Sequence, residues 1–320
     1  MKKLSILIVN WNTSSYLKQC LLSIRSQCTS IDHDIFVFDN NSTDNSVEML
    51  NKEFKEVKLF TSGINIGFGG ANNSLLKHTE SEYILFLNPD TLFLDNTLIK
   101  MIEYMDKNIS IGASGCKILN EDGSLQPTCA RSFPDLFTVF SEQLFLYKLF
   151  PKSKLFSKHL MTYWNHGDIK EVELLSGAMI LTKKIVIDNT GTFDERFYMY
   201  GEDIDLCWRI KHNGWKIVFY PYCTITHFGG KSTIQSFVDN FYLSYSTLDL
   251  FFSKYKSKPY VAFFRLFVIL GCIIRFLASV AVYLPSNSFQ KKNISLKIKV
   301  YVQVINNFIA ITKTNESFIN

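Results

Sequence analysis

A chain of 320 residues, of which 47% are hydrophobic and 15% aromatic, can bury a large core, which excludes an intrinsically disordered protein. Its seven cysteines are scattered and never form a Cys-x-x-Cys pair, which disfavours a zinc ribbon or a disulfide scaffold and suits a reducing compartment. The net charge of +5 hides an asymmetry, because residues 251–320 hold ten Lys or Arg and one acid, and such basic tails bind nucleic acid or anionic membrane.

Strand patterns alternate with helix patterns through the first ~100 residues, which predicts βαβ units and a parallel sheet. Strands are predicted at Leu4–Val9, Ile35–Phe38, Val57–Phe60 and Tyr83–Leu87. Helices are predicted at Ser14–Gln27, Ser46–Phe54, Gly67–His78 and Thr97–Asp106. The first apolar run is too short for the core of a signal peptide, and we expect it to form a buried strand.

The second half of the chain has a less regular pattern. Residues 133–165 are aromatic and basic, with little strand pattern, and they predict a helical or lid-like insertion. Three further elements are expected after it: a strand at Glu173–Thr182, a helix at Ile204–His212, and a strand at Trp215–Phe219 followed by a loop to His227.

Polar residues cluster directly after three of the predicted strands. They are Asn10 and Asn12 after the first strand, Asp39–Asp44 after the second, and Asn88 and Asp90 after the fourth. Ligands of open α/β sheets bind beyond the carboxyl ends of the strands, so these residues are expected around one crevice. An acid within Asp39–Asp44 can accept a hydrogen bond from a nucleotide base or a ribose hydroxyl, although an Asx turn explains the segment equally well.

Two further segments have features of a phosphate or cation site. The glycine-rich turn Asn65–Asn73 leads into a helix and suits a phosphate, but it is neither Gly-x-Gly-x-x-Gly nor a Walker loop. Asp90 ends a hydrophobic strand and offers carboxylate oxygen to a hard divalent cation, with a Pro-Asp turn as the alternative. His227 is a candidate for a further metal ligand, although a lone histidine is more often structural.

The segment Tyr198–Arg209 is the most informative of all. It places Glu202 and Asp203 directly ahead of a predicted helix, where free N–H groups and the helix dipole hold carboxylates ionised. An ionised carboxylate is what a general base needs, whereas helix capping is the commoner interpretation of such a pair. Asp205 lies four residues before Arg209, and this spacing predicts a structural salt bridge.

In this order, the segments resemble family 2 of the inverting glycosyltransferases, with the GT-A fold, and within it the rhamnosyltransferase-like branch. The likeness covers about residues 4–235. It rests on Ile8–Asn12, Val37–Asp44, Asn65–Asn72, Leu87–Asp90, Leu175–Ala178 and Phe193–Leu206, and it is completed by His227, Gly230 and Ser232.

The resemblance implies a role for each motif. The Asp39 position contacts the nucleotide base, and Asp44 supports its loop. Asn88 and Asp90 match the Asp-x-Asp motif of the family, so Asp90 carries most of the coordination of Mg²⁺ or Mn²⁺. The catalytic motif falls on Glu202 and Asp203, with Asp203 as the base, and the expected outcome is inversion at the anomeric carbon. The implied donor-binding residues are Asn10, Asn12, Asp39, Asn41, Asp44, Asn65, Gly67, Asn88, Asp90 and Gly177, and the implied metal ligands are Asp90 and His227.

An apolar stretch of 25 residues, Tyr260–Leu284, dominates the basic tail and is interrupted by Arg265 and Arg275. Its length would span a bilayer, but the arginines and the flanking lysines favour an amphipathic helix lying on anionic lipid, with a spanning helix as the second interpretation. A buried core helix would not explain the flanking lysines. Nucleic acid is disfavoured as a partner, because no base-reading motif accompanies the charge.

The sequence therefore predicts an α/β, Rossmann-like GT-A fold whose central sheet is mostly parallel and flanked by helices. The expected parts are a glycosyltransferase domain at 1–250, with a nucleotide-binding half at 1–110 and an acceptor half at 111–250, and a helical membrane-associating tail at 251–320. The absence of a Gln-x-x-Arg-Trp pattern favours addition of one or a few sugars over polymerisation.

The expected reaction moves a sugar from a nucleotide-sugar to a lipid-linked oligosaccharide of cell-surface polysaccharide assembly, and resemblance suggests L-rhamnose from dTDP-rhamnose. The expected location is the cytoplasmic face of the inner (plasma) membrane, with peripheral or monotopic attachment. A UDP-hexose donor and a catalytically inactive nucleotide-sugar-binding membrane protein stay open as alternatives, as does a homo-oligomer. A nucleotidyltransferase is disfavoured, because Ile8–Ser14 offers no triphosphate-binding loop.

Overall fold

The computed structural model describes residues 2–229, 237–283 and 287–316. Gly230 and Ser232 of the sequence likeness, and Leu284 at the end of the apolar stretch, lie outside the described residues. Two compact units are formed by the chain: Met1–Phe133 with Leu160–Ile234, and Pro134–His159 with Gln235–Asn320. These divisions differ from the expected boundary at residue 250, because the inserted segment packs with the C-terminal helices.

All strands of the described residues belong to the first unit. In chain order they are β1 (Leu4–Asn10), β2 (His33–Asp39), β3 (Lys58–Thr61), β4 (Tyr83–Leu87), β5 (Thr91–Phe93), β6 (Ile111–Leu119), β7 (Ala130–Arg131), β8 (Lys170–Val172), β9 (Leu174–Leu175), β10 (Met179–Lys183) and β11 (Lys216–His227). The helices of the described chain are α1 (Ser14–Gln27), α2 (Ser46–Glu53), α3 (Gly67–Leu76), α4 (Leu98–Lys107), α5 (Leu136–Gln143), α6 (Leu146–Leu149), α7 (Lys184–Thr190), α8 (Glu202–His212), α9 (Phe237–Tyr255), α10 (Lys258–Tyr283) and α11 (Ser288–Glu316).

A nine-stranded sheet forms the centre of the first unit, in the order β3-β2-β1-β4-β10-β6-β11-β5, with β8 also paired to β11. Strands β1, β2, β3, β4, β6 and β11 run in one direction, and β5, β8 and β10 run in the other. All residues of β1 and β4 are buried, which explains why β4 is an unbroken apolar run and β1 a nearly unbroken one, with Ser5 as the interruption. The predicted mixed α/β fold with a mostly parallel sheet is confirmed.

The ends of the parallel strands bring the polar motifs together. In the register of β1 and β2, Asn10 lies directly opposite Asp39. The next strand, β4, ends at Leu87, one residue before Asn88. The polar residues that follow these three strands therefore meet at one edge of the sheet, as the crevice rule for open α/β sheets predicts.

Strand β11 is longer than the sequence pattern indicated. A loop was expected from Phe219 to His227, but the strand continues to His227 after a shift in its register with β6 between Tyr220 and Thr224. Pro221 lies within this irregularity, and a proline cannot donate to a strand ladder, so the apolar alternation is interrupted there. The continuation pairs His227 with Thr91 of β5 and so carries the histidine to the edge where β4 ends.

The second unit is helical, and its inserted helix α5 packs along α10. The backbone N–H of Leu136 donates to Tyr260 Oη at 3.0 Å, and the ring centroids of Phe140 and Phe267 lie 5.8 Å apart. A capping box at Asp135 and Thr138 begins α5. The insertion and the apolar helix of the tail are therefore parts of one packed body.

The two arginines of α10 are turned toward the protein. Arg265, which is buried, makes two hydrogen bonds to the carboxylate of Asp249, at 2.7 and 3.0 Å. Arg275 binds the side chain of Gln143 and the backbone oxygen of Glu142. The polar edge expected to meet anionic lipid thus meets partners within the second unit. By length and composition α10 could cross a membrane, and in its most apolar window, of mean hydropathy 2.3, only 17% of the residues are buried.

Candidate active site

The loop after β2 is held by a buried hydrogen-bond network. Asn10 Nδ2 donates to Asp39 Oδ2 at 2.9 Å, and the N–H of Ser42 donates to Asp39 Oδ1 at 2.9 Å. Thr13 Oγ1 donates to Asn10 Oδ1 at 2.7 Å. Asp39 and Asn10 are almost completely buried, so their polar atoms fix the shape of this loop from behind.

Asn12 and Asp44 connect this loop to the starts of two helices. Asp44 accepts from the N–H of Ser14 at 2.8 Å, at the start of α1, and from the N–H of Ser46 at 3.0 Å, at the start of α2. Asn12 Oδ1 accepts from the N–H of Thr43 at 2.7 Å. Carboxylate and amide oxygens satisfy free N–H groups here, as helix starts require. Asn12 and Asn41 both adopt left-handed backbone angles, with φ of 54° and 65°, which asparagine tolerates better than most residues.

The glycine-rich turn is fastened to the same loop by Asn40. Asn40 Oδ1 accepts from the N–H of Ile66 at 2.8 Å, and Asn40 Nδ2 donates to the backbone oxygen of Gly67 at 3.2 Å. Gly67 has φ of 77°, and a Cβ at this position would lie 2.6 Å from the backbone oxygen of Tyr198. Only glycine satisfies both conditions, so the turn and the segment before α8 can approach each other closely.

Eight of the residues singled out from the sequence line one cavity of about 340 Å³ in the first unit. They are Asn65, Gly67, Asn88, Asp90, Gly177, Glu202, Asp203 and His227. The same wall includes Trp11, Asn40, Arg131, Met199 and Tyr200. Asn10, Asn12, Asp39, Asn41 and Asp44 are not among the lining residues, and all but the exposed Asn41 are hydrogen-bonded in the loop behind it.

His227 is oriented by a residue that the sequence patterns did not indicate. Gln126 Nε2 donates to the backbone oxygen of His227 at 2.7 Å, which turns Gln126 Oε1 toward His227 Nδ1 at 3.0 Å. Because an amide oxygen can only accept, Nδ1 carries the ring hydrogen of the neutral imidazole. The other ring nitrogen, Nε2, then presents a lone pair to the cavity.

Asp90 faces that lone pair. Asp90 Oδ1 lies 3.3 Å from His227 Nε2, and this buried oxygen has no hydrogen-bond partner among the residues that the structure describes. Asn88 Nδ2 also lies 3.3 Å from His227 Nε2. In the tautomer that Gln126 favours, the Asp90 carboxylate oxygen and the His227 lone pair converge, and such a pair suits a divalent cation.

Two left-handed residues direct the pair Glu202 and Asp203. Tyr200 has φ of 64° and Gly201 has φ of 81°, immediately before α8 begins at Glu202. A tyrosine in this region of backbone space is uncommon and strained, and such strain is concentrated at functional sites. The turn brings both carboxyl groups to the cavity wall at the N-terminus of α8.

The two carboxyl groups have different environments. Burial, reinforced by the negative charge of Asp203, raises the pKa of Glu202 to about 8. Glu202 Oε2 is buried and has no hydrogen-bond partner in the described part of the chain. A pKa of about 8 keeps Glu202 mainly protonated at pH 7, and in that state it can donate a hydrogen bond.

Asp203 has a cationic partner in Arg131. Arg131 Nη2 lies 3.0 Å from Asp203 Oδ2, and the N–H of Gly177 donates to the same oxygen at 3.3 Å. The side chains of Arg131 and Asp203 are 15% and 13% exposed, so the pair is well shielded and still reaches the cavity. These contacts fix the carboxylate of Asp203 in one orientation.

Asp205 belongs to the scaffold. Its carboxylate, which is fully buried, accepts from Arg209 Nε at 2.8 Å, and this confirms the predicted i,i+4 salt bridge. Arg209 also donates to the backbone oxygens of Thr190, Gly191 and Thr192. The pair ties α8 to the end of α7.

Sequence patterns missed Arg131, Gln126 and Asn40 as parts of the site. Arg131 and Asp203 are 72 residues apart, and Gln126 and His227 are 101 residues apart, so local spacing holds no trace of either contact. Asn40 is adjacent to Asp39 in a segment rich in short polar residues, and the only available signal was that a buried strand ends there.

Sequence comparisons find glycosyltransferases among the relatives of this chain. Residues 5–159 match the model of glycosyl transferase family 2. An N-acetylglucosaminyl-diphospho-decaprenol L-rhamnosyltransferase of Mycobacterium tuberculosis is 25% identical over 241 residues, which cover 72% of this chain and 77% of the relative. The rhamnosyltransferase WbbL of Escherichia coli is 24% identical over 232 residues, which cover 70% of this chain and 82% of the relative.

A solved structure shows the same fold. The mannosyltransferase PcManGT from Pyrobaculum calidifontis, in complex with GDP-Man and Mn²⁺, superimposes with a TM-score of 0.57 at 13% identity, and the match covers 96% of this chain and 87% of that chain. At this identity the likeness concerns the fold alone. Residues 5–159 thus form a glycosyl transferase family 2 domain, and the chain has the GT-A fold that it shares with the mannosyltransferase.

Proposed function

We propose that this protein is an inverting, metal-dependent glycosyltransferase that moves a sugar from a nucleotide-sugar to a hydroxyl of a lipid-linked saccharide. The observation that carries the proposal is the single cavity lined by Asp203 with its partner Arg131 and by Asp90 with His227. Such a cavity offers a base for the acceptor hydroxyl and an oxygen and nitrogen pair for a cation beside the leaving diphosphate.

Asp203 is the proposed general base. It takes the proton of the acceptor hydroxyl as the oxygen attacks the anomeric carbon from the face opposite the nucleotide, which inverts the configuration there. Glu202, protonated at neutral pH, donates a hydrogen bond to a sugar or acceptor oxygen in the cavity. The two adjacent carboxyl groups thus take different roles because their surroundings separate their pKa values.

Asp90 and His227 are the proposed ligands of Mg²⁺ or Mn²⁺, and Gln126 orients the histidine. The unpartnered oxygen of Asp90 supports this assignment, as does the Mn²⁺ in the mannosyltransferase complex of the same fold. The bound cation would neutralise charge on the diphosphate as it leaves. Asn88 brings no charge, and its Nδ2 lies within hydrogen-bonding distance of His227 Nε2, at 3.3 Å, which helps to position the ring.

The loop behind the cavity is the proposed nucleotide-binding element. Asp39, Asp44 and Asn10 hold its shape, and Asn65 and Gly67 of the glycine-rich turn form part of the wall where the donor lies. L-Rhamnose from dTDP-rhamnose is the first donor to test, because the names of the two relatives identify rhamnosyltransferases. A UDP-hexose is the second.

The proposed acceptor is a polyprenyl-diphosphate-linked saccharide of cell-surface polysaccharide assembly, as the name of the mycobacterial relative suggests. The proposed location is the cytoplasmic face of the inner membrane, with peripheral or monotopic attachment through the basic, apolar tail 251–320. The exposed apolar face of α10 supports the attachment, and seven free cysteines suit a reducing compartment.

The test is a nucleotide-release assay with dTDP-rhamnose, UDP-glucose, UDP-N-acetylglucosamine and GDP-mannose, each with Mg²⁺, Mn²⁺ or chelator, and with membrane extract as the source of acceptor. We expect metal-dependent release from one donor. Asp203→Asn should lower that rate by about 10²- to 10⁴-fold and leave nucleotide binding intact. Glu202→Gln, which keeps a neutral donor, should lower it by less than about tenfold.

Three outcomes would contradict parts of this proposal. Full activity of Asp203→Asn removes that residue as the base. If Glu202→Gln instead loses about 10²- to 10⁴-fold of the rate, the base is Glu202. Undiminished nucleotide release in the presence of chelator would mean that the reaction requires no metal. Measurable nucleotide binding without release from any donor favours the alternative, a nucleotide-sugar-binding membrane protein without catalysis, for which the uncharged Asn88 is the sequence support.

A further inference from the structure

The inserted segment exposes apolar side chains on the second unit. After α5, residues Phe145, Leu149, Phe150 and Leu155 are 40%, 68%, 50% and 57% exposed. Soluble surfaces carry single exposed apolar residues, but four large ones within 11 consecutive positions form a cluster that calls for a partner.

Hydrogen bonds from buried side chains hold the backbone of this cluster in place. Ser157 Oγ donates to the backbone oxygens of Phe150 and Tyr147, at 3.1 and 3.3 Å, and Ser141 Oγ donates to the backbone oxygen of Phe156 at 2.7 Å. Both serines are fully or almost fully buried. Buried serines therefore fix the backbone of α6 and of the residues after it, while Leu149, Phe150 and Leu155 are exposed.

Lysines are interleaved with these apolar residues. Lys148, Lys152 and Lys154 are exposed, and no acid occurs between residues 145 and 156. Lys148 Nζ lies 5.5 and 5.8 Å from the ring centroids of Phe145 and Tyr147. Aromatic and aliphatic side chains flanked by cations are the composition of surfaces that enter the boundary between lipid headgroups and acyl chains.

The segment shares its packed body with α10. Arg275 of α10 stacks over the ring of Phe145 at 4.6 Å, just where the exposed loop leaves α5. Because its arginines are turned inward, α10 presents an apolar surface that includes Phe263, Leu266 and Leu277, which are 54%, 46% and 60% exposed. The outer face of α10 therefore brings no arginine to an anionic surface, and the lysines of residues 145–155 add to those that flank α10.

From this arrangement we infer that residues 145–155 are a second lipid-contacting element, which inserts Leu149, Phe150 and Leu155 into an anionic membrane surface while its lysines bind the headgroups. The inference rests on the proposed membrane attachment of the tail and adds a contact in a different part of the chain. An acidic protein partner or a second copy of this chain is the competing occupant.

Vesicle binding of the full-length protein tests the inference, with vesicles of phosphatidylcholine alone or mixed with phosphatidylglycerol. Leu149→Ser/Leu155→Ser should lower the partition coefficient at least about tenfold, because two largely exposed leucines lose their place in the interface. The control Ile109→Ser/Ile185→Ser changes two exposed isoleucines of the first unit, which are 80% and 52% exposed, and should bind as the unchanged protein does.

The lysines are tested separately. Lys148→Gln/Lys152→Gln/Lys154→Gln should lower binding at least about tenfold on the anionic vesicles and leave weak binding to phosphatidylcholine alone unchanged. The control Lys52→Gln/Lys100→Gln/Lys107→Gln removes the same charge from exposed positions of the first unit and should have less than about a third of that effect on a logarithmic scale.

A probe locates the contact directly. All seven native cysteines are buried, so Leu155→Cys can be labelled selectively with an environment-sensitive fluorophore, with Ile109→Cys as its control. A blue shift on anionic vesicles at Leu155→Cys and none at Ile109→Cys is the expected result.

The outcomes separate this inference from the proposed membrane attachment. If Leu149→Ser/Leu155→Ser binds vesicles as well as the unchanged protein does, and the probe at Leu155→Cys shows no blue shift, residues 145–155 do not contact lipid. The tail alone then attaches the protein. If the unchanged protein binds no vesicles, both ideas fail, while nucleotide release is judged by its own assay. If light scattering gives the leucine variant a lower oligomer mass than the unchanged protein, while vesicle binding is the same, the surface belongs to a second copy of the chain.

Discussion

Replacing Glu202 by glutamine should make the protein more stable, and the gain should grow with pH. Burial and the charge of Asp203 raise the pKa of Glu202 from 4.5 to about 8, so the native state holds a proton that the unfolded chain releases. Above pH 4.5 the unfolded state binds fewer protons than the native state, and the free energy of unfolding falls as the pH rises toward 8. The penalty is about 3 kcal/mol at pH 7 and on the order of 5 kcal/mol above pH 8.

Glutamine has the size of the protonated acid and cannot ionise, so it removes this penalty. Thermal unfolding of both proteins from pH 5 to 8.5 measures it: the midpoints should nearly coincide at pH 5 and separate by several degrees at pH 8. Glu80→Gln, at an exposed carboxylate, is the matched control and should leave the difference between pH values unchanged. Parallel curves for Glu202→Gln and the unchanged protein would refute the reasoning, because Glu202 would then be ionised in the native state.

Three further perturbations test other parts of the molecule. Gln126→Leu removes the hydrogen-bond partner of His227 Nδ1, so the affinity for Mn²⁺, measured by calorimetry with nucleotide present, should fall about 10- to 100-fold. An unchanged affinity would mean that Gln126 does not orient a metal ligand. Gly67→Ala places a Cβ against Tyr198 at a residue with φ of 77°, so nucleotide affinity should fall and the free energy of unfolding should drop by about 1–3 kcal/mol. Gly63→Ala, in open space, should be neutral, and equal effects of the two substitutions would contradict the close approach at Gly67. Arg265→Met leaves the largely buried carboxylate of Asp249, which is 13% exposed, without its cation and should lower the free energy of unfolding in urea by about 3–5 kcal/mol. Lys184→Met, at an exposed pair, should lower it by less than about 1 kcal/mol. A similarly small loss for both variants would mean that the Arg265–Asp249 pair is not desolvated.

The sequence predicted the helices and strands whose conformation is determined by residues close to one another in the chain. Helix α1 was predicted with its observed bounds, because Leu17, Cys20, Leu21 and Ile24 repeat with the helical period on the buried face. Strand β4 was predicted equally well, because a fully buried parallel strand is a continuous apolar run. The polar residues at strand ends could be grouped for the same reason, since the topology of a parallel sheet collects them at one edge.

The sequence did not predict the elements and contacts that depend on partners far away in the chain. The short strands β5, β7, β8 and β9 have two or three residues each and exist because a distant strand offers a partner. Arg131 was missed because its importance depends on Asp203, and the inward direction of Arg265 was missed because its partner Asp249 lies on another helix. Helical periodicity identifies a polar face but does not reveal whether water, lipid or protein covers it.

The shared packing of α5 and α10 has a practical consequence for anyone who wishes to study catalysis apart from the membrane. A protein shortened at residue 250 keeps α5 but loses Tyr260 and Phe267, against which Leu136 and Phe140 pack. Such a truncation uncovers aromatic surface in the middle of the remaining chain and invites aggregation. Residues 134–159 interrupt the first unit in sequence but not in fold, so a soluble catalytic unit requires that the inserted segment and the tail be removed together.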